Sequence, residues 1–421
     1  MSPGEASEAA AGLPRLIEPT RPAWLAAARL LLSPAVVVPL LSIIYLCLAI
    51  PMLQKLVHDP ARAARFIRED ARQYHDIGQE FARGDFAMDY VKKKPHRQPL
   101  YPLLLAPVLK FGGNMFALGM VNVLVGLLTV WAIYFVVLKC FESPLVAAIT
   151  AAGGFLGNSF LMMQTSTQLM TEPLFILLEI PILYCFLVYV QKRQPIWLWL
   201  ASAGAGVAYL ARTNGLFIWL SLLGVLACWD ARCWFYEKAE VRLARLGRLV
   251  GSYALAVLIG IIVTTPSWVP RVRDYGNPIY HGHISNFMWV DTYEEARSQG
   301  EQPAFTWQDY AAEHNTGDIW NRWWQGFITV CYLSPFKLAP VLQWASMLGF
   351  VVALATRNTR FLLLALFCFA QLQPLIWTSM ANSSKRVSYP GVVCFEWLFA
   401  ALALAWIVEW AVKRFTLPRP I

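Results

Sequence analysis

The sequence predicts an all-α polytopic membrane protein with about ten transmembrane helices and a long first outer loop that carries juxtamembrane helices. Three observations point there. Of the 421 residues, 57% are hydrophobic and 14% charged, far below the roughly 25% charge of a soluble domain. Apolar runs of about 20 residues recur along the chain, each long enough to cross ~30 Å of hydrocarbon as a helix. Lys and Arg gather in alternate short loops, which is the pattern that fixes membrane topology. The net charge of +9 is therefore a topology signal, and no nucleic-acid partner is expected.

The spans are expected at about Pro34 to Leu56, Met115 to Leu138, Leu145 to Met163, Pro173 to Val190, Ile196 to Ala211, Leu216 to Trp229, Leu249 to Thr265, Leu338 to Ala355, Phe361 to Trp377 and Val392 to Val412. Each is apolar and bounded by polar or turn-forming residues. The first reads as an uncleaved signal anchor. Residues 1–33 form a cytoplasmic tail, 34–412 one transmembrane domain with long outer loops at 57–113 and 267–329, and 413–421 a second cytoplasmic tail. Within the first loop, Pro99 to Phe111 is too short to span. Pro99, Pro102 and Pro107 interrupt it and Gly112-Gly113 ends it, which suits a helix at the membrane surface. With the N-terminus inside, every inner loop carries cations, including the Arg232 to Arg248 loop. Function is thus sought outside, in an integral membrane protein.

Several outer cations break that bias: Lys92, Lys93, Lys94, Arg97, Arg212, Lys385 and Arg386. Singly, each reads as a solvated or snorkelling charge. Coming from separate loops to one interface, they suit a bound phosphate head. The first outer loop also holds acid. Around Arg65 to Tyr74 it reads as helical, and four-residue spacing sets Asp70 and Tyr74 on one face, where a carboxylate can serve as general base or simply pair within the helix. Glu172 precedes Pro173 at the start of a span, and helix capping by Thr171 and Glu172 competes there with a role in the same outer cavity. Glu179, Lys337 and Glu396 lie in or beside spans, where charge marks either a polar vestibule or mutual pairing. His281 and His283 alternate as two metal ligands can, with no convincing third. The 8 cysteines fall mostly inside apolar runs without metal spacing. No cofactor is expected, and divalent metal stays an open option without ligand support.

These residues carry a resemblance. Glu69-Asp70-Ala71-Arg72-Gln73-Tyr74, then Gly84-Asp85-Phe86, then His96-Arg97-Gln98-Pro99-Leu100-Tyr101-Pro102 resembles the first outer loop of bacterial GT-C glycosyltransferases, relatives of the protein O-mannosyltransferases and the lipid A aminoarabinose transferase. Thr171-Glu172-Pro173-Leu174-Phe175, Leu210-Ala211-Arg212-Thr213-Asn214-Gly215-Leu216, Arg271 to Pro278 and Ser384 to Pro390 are similar to further family elements, in the same order.

The resemblance implies a polyprenyl-phosphate-linked sugar as donor and a lipid, glycan or protein hydroxyl as acceptor. It makes Asp70 the catalytic carboxylate, with Glu69 beside it as the alternative and Glu172 as a second acid in the cavity. It also gives Tyr74, Lys94, His96, Arg97, Tyr101, Arg212 and Arg386 to the lipid-phosphate site. This chain has Asp274 where the family has asparagine, and it ends soon after its last span, where the aminoarabinose transferase carries a soluble domain. The competing readings are a transporter or flippase of lipid-linked sugars, which should show broken helices with midplane charge, and a noncatalytic GT-C-like subunit.

Overall fold

A computed structural model describes residues 33–59, 70–153, 169–282, 287–292, 294–295, 307–329, 340–379 and 385–416. The regular elements are α1 (Pro34–His58), α2 (Asp70–Ala82), α3 (Leu100–Lys110), α4 (Met115–Phe141), α5 (Pro144–Ala151), α6 (Glu172–Lys192), α7 (Pro195–Ala211), α8 (Gly215–Phe235), α9 (Ala239–Tyr275), α10 (Trp307–Glu313), α11 (Thr316–Phe327), α12 (Pro340–Thr356), α13 (Thr359–Thr378) and α14 (Lys385–Thr416), with a 3-10 turn at Asp89–Lys92. Six described helices, α1, α4, α6, α8, α9 and α13, are long and apolar enough to cross a membrane. Local chemistry sets their ends. Asn114, Ser143 and Asn358 accept backbone N–H groups at the starts of α4, α5 and α13, and Pro144, Pro173 and Pro195 occupy first turns where no N–H is missed.

The bundle has two polar ends. At one, Asp230 in α8 is buried, is paired with Arg193 and accepts from Tyr189 and Tyr253 at 2.6 and 2.8 Å, while Arg360 reaches Gln191. At the other lie α2, α3, the start of α6, the ends of α7, α9 and α13, and α11. Between the ends the contacts are apolar, with few polar links. Gln371 of α13 donates to Glu179 of α6 at 3.2 Å, both buried, which favours pairing over an open vestibule for that acid. Glu396 is also buried; Lys337 lies outside the described residues.

Two expectations change. The Arg232 to Arg248 loop is mostly helix, since α8 runs to Phe235 and α9 begins at Ala239. Its cations fold back on the connection: Arg242 donates to Phe235 O and Glu237 O, and Arg245 pairs with Glu237. At its far end α9 continues through Pro266 and Pro270 to Tyr275, so the second long loop begins at Gly276, not at 267. The Thr264 and Thr265 hydroxyls bond carbonyls of the preceding turn, at Gly260 and Ile261, and Arg271 takes the Ser267 carbonyl, so side-chain donors join the backbone ladder on either side of the prolines. Gly276, at φ 68°, then closes the helix with its N–H on Val272 O.

Candidate active site

The short helix α3 forms where a surface segment was expected, and it ends on Gly112 (φ 71°), with the Gly113 N–H on Val108 O. It carries α2. A Cβ on Gly78 of α2 would stand 2.9 Å from Leu109 and 3.3 Å from the Pro102 carbonyl, so glycine permits the close approach. Across this contact Tyr74 and Tyr101 meet edge to face at 5.3 Å.

On that platform Arg97 is the hub. Its guanidinium pairs with Asp70, donates to Tyr74 Oη at 3.0 Å and to Gln73 Oε1 at 2.7 Å, and lies 4.8 Å from the Tyr74 ring centre. Four-residue spacing does put Asp70 and Tyr74 on one face, and Arg97 reads both. Burial opposes its charge, but Tyr74 and Asp70 outweigh burial and hold the guanidinium above its ordinary range. His96 also meets Gln73, at 3.3 Å, and Lys94 lies 3.6 Å from Asp76.

A second ion pair stands beyond Tyr101. Glu172, at the start of α6 and 2% exposed at its side chain, pairs with Arg212 at 3.0 Å. Arg212, at the end of α7, also donates to the Thr171 hydroxyl at 3.2 Å. Thr171 makes no side-chain cap bond to its helix, so its hydroxyl serves Arg212. Tyr101, packed on Tyr74, donates to Asn122 Oδ1 at 2.8 Å. Burial first, then the charges of Tyr74 and Glu172, keep its hydroxyl protonated well above the usual phenol range. This end thus holds two carboxylate–guanidinium pairs, Asp70 with Arg97 and Glu172 with Arg212, and Tyr101 lies close enough to feel the charge of Glu172. Glu69 lies outside the described residues, and Arg386 stands in the first turn of α14 with its side chain outside them.

Sequence reasoning missed two parts. Gln73 ties His96 and Arg97 to α2, and its position between Asp70 and Tyr74 was the available signal. Arg271 matters more. It is 0% exposed and donates to Tyr280 O (3.0 Å), Ser267 O (2.7 Å), Pro95 O (2.6 Å) and Arg97 O (3.1 Å), while Ser267 donates to Gln98 Oε1 at 2.7 Å. An arginine one turn from the end of a long apolar run was visible as a family motif only. By clamping carbonyls of residues 95 and 97 it fixes the backbone that presents Arg97. Arg271→Gln leaves several buried carbonyls without a charged donor, each such bond being worth ~1.5–3 kcal/mol. Amide exchange at residues 93–98 should then rise about tenfold or more, with α6 unchanged, measured by hydrogen–deuterium mass spectrometry.

His281 is buried behind this clamp, 3.4 Å from Tyr209 Oη. His283 lies outside the described residues, and no group of three or more His, Cys, Asp or Glu suited to a metal occurs among the described ones. Burial, then the charge of Arg271, lowers the imidazole from 6.5 to about 3. The folded chain keeps His281 neutral while the unfolded chain protonates it, so stability is lost as pH falls from about 6.5 toward 3. At pH 5 the loss is about 2 kcal/mol. His281→Gln should flatten the fall in thermal midpoint between pH 7 and pH 5.

Residues 93–267 match the family model of the dolichyl-phosphate-mannose-protein mannosyltransferases. That stretch holds Lys94, His96, Arg97, Tyr101, Glu172 and Arg212. No curated protein matches the chain in sequence. In backbone it is similar to ArnT from Cupriavidus metallidurans bound to undecaprenyl phosphate, with TM-score 0.51 and 15% identity over 91% of this chain and 63% of that one. It is also similar to the Archaeoglobus fulgidus oligosaccharyltransferase in complex with Zn and sulfate, with TM-score 0.50 and 16% identity over 90% of this chain and 50% of that one. This chain therefore spans less than two thirds of the length of either. Helical bundle, family match and loop motifs agree: the chain has the fold of the GT-C class of membrane glycosyltransferases.

Proposed function

We propose that the chain transfers one sugar from a polyprenyl-phosphate carrier to a hydroxyl on the extracytoplasmic face of a plasma membrane, with inversion at the anomeric carbon. The observation that carries this reading is Arg97 bridging Asp70 and Tyr74, beside the Glu172–Arg212 pair. The guanidinium carries more N–H donors than its partners Asp70, Tyr74 and Gln73 use, so it can also take phosphate oxygens. The acceptor oxygen attacks the anomeric carbon as its proton passes to the Asp70 carboxylate. The bond from that carbon to the phosphate oxygen breaks, and the lipid phosphate leaves with the electron pair. Phosphate is a competent leaving group, so one base with cations on the developing charge suffices. Arg97 and Arg212 take the holding role, with Arg386 and Lys94 behind them. Glu172, being buried against Arg212, sets that cation's position and leaves the base role to Asp70. The ArnT structure holding undecaprenyl phosphate supports a carrier of this kind. The Lys and Arg residues of the inner loops, read by the positive-inside rule, support the outward orientation.

Purified chain incubated with a panel of polyprenyl-phosphate sugars tests the reading. Loss of sugar from one donor, with release of polyprenyl phosphate, is the expected result. Carrier binding without turnover of any donor would make the chain a noncatalytic subunit, and movement of intact donor across vesicles would make it a flippase.

A further inference from the structure

The helix α11 lies across the end of α13 on the same side of the bundle as the candidate active site. Its seat is specific. A Cβ on Gly326 would come 1.9 Å from the Ile376 carbonyl, so the two backbones touch at a glycine. Arg322 donates to Trp377 O at 3.1 Å, and Trp323 donates to Gln373 Oε1 at 2.9 Å. Asn315 and Asp318 form a capping box that fixes its first turn.

One flank of α11 is an aromatic ladder. Trp320 stacks on Trp323 at 5.2 Å, and Trp323 and Trp324 stack on Phe327 at 5.4 and 5.6 Å. Trp320 and Trp324 remain 63% and 44% exposed. The ladder continues a stripe of α13. Leu366 and Phe369 are exposed apolar residues of that spanning helix, and Gln373, the partner of Trp323, follows them at helical spacing on the same face. An exposed apolar stripe on a membrane-spanning helix faces lipid, and indole at its end, with one polar N–H and a broad apolar ring, suits the headgroup boundary.

We propose that α11 rests in the headgroup layer at this end of the bundle, with Trp320 and Trp324 as its lipid anchors. The helix then fixes the height of the α13 end, and of the loop held by Arg322, Asp291 and Trp377, against the membrane surface. This placement does not depend on the chain being a glycosyltransferase.

The test uses the full chain with its native cysteines replaced, reconstituted in phosphatidylcholine–phosphatidylglycerol vesicles, with bimane on Trp324→Cys or on Gln325→Cys. Gln325 is exposed on another face of α11 and takes no part in its capping box. The label at 324 should be quenched at least about threefold more by a headgroup-level nitroxide lipid than the label at 325, with the order reversed for aqueous iodide. Trp320→Cys, one turn earlier, repeats the measurement if the first variant does not fold. Equal iodide access at 324, 320 and 325 would overturn the proposal, and protection of 324 and 320 by an added glycan alone would make the ladder a sugar platform instead.

Discussion

Asp70→Asn is expected to cut sugar transfer by roughly 10²- to 10⁴-fold, the range that a positioned general base supplies, while the folded bundle persists. The amide keeps the size of the side chain and can still accept from Arg97, so the platform of Tyr74, Gln73 and Arg97 stays assembled. Its proton affinity is lost. Asp70 opens α2 with its side chain 31% exposed, while Arg97 is 11% exposed and keeps Tyr74 and Gln73 as acceptors, so removing the charge costs about 1.5–3 kcal/mol, the worth of one hydrogen bond to a charged group. A turnover assay run beside a thermal unfolding curve separates the two effects. A folded variant that transfers at the wild-type rate would remove Asp70 from the chemistry.

Glu172→Gln is the change with the largest expected effect on stability. Its carboxylate is buried against Arg212, and neutralising one member of a buried pair strands the other charge at a cost of about 3–5 kcal/mol. The midpoint of thermal unfolding in detergent should fall by several degrees. Neutralising both partners, Glu172→Gln with Arg212→Gln, should recover much of that loss because no charge is then left alone. The double variant should still bind polyprenyl phosphate poorly, since Arg212 is one of its proposed holders. Equal instability of the single and double variants would mean that the pair matters for packing, not for charge.

The fold class was legible because lipid leaves so few solutions: apolar runs must be helices, and their flanking cations must choose a side. The Asp70, Tyr74 and Arg97 grouping was legible for two local reasons, helical spacing and a cation on the wrong side of the membrane. What sequence could not supply was partnership at a distance. Glu172 and Arg212 were each singled out alone, and only the antiparallel packing of α6 on α7 joins them. Arg271 is bound to four backbone carbonyls, and carbonyls are the same at every residue, so no side-chain pattern announces such a clamp. The extension of α9 escaped because its charges and prolines look like loop signals. The helix nevertheless runs on through them to its cap at Gly276, and its cation Arg271 donates to backbone carbonyls inside the protein.

On the proposed function, the Arg97 and Arg212 end of the bundle receives the head of a polyprenyl phosphate. A cryo-electron microscopy structure of the chain with undecaprenyl phosphate in a lipid nanodisc would locate that head. Phosphate density is expected within hydrogen-bond reach of the Arg97 guanidinium and beside Arg212. Density at the Asp230 end of the bundle, or a head group with neither arginine near it, would overturn the assignment.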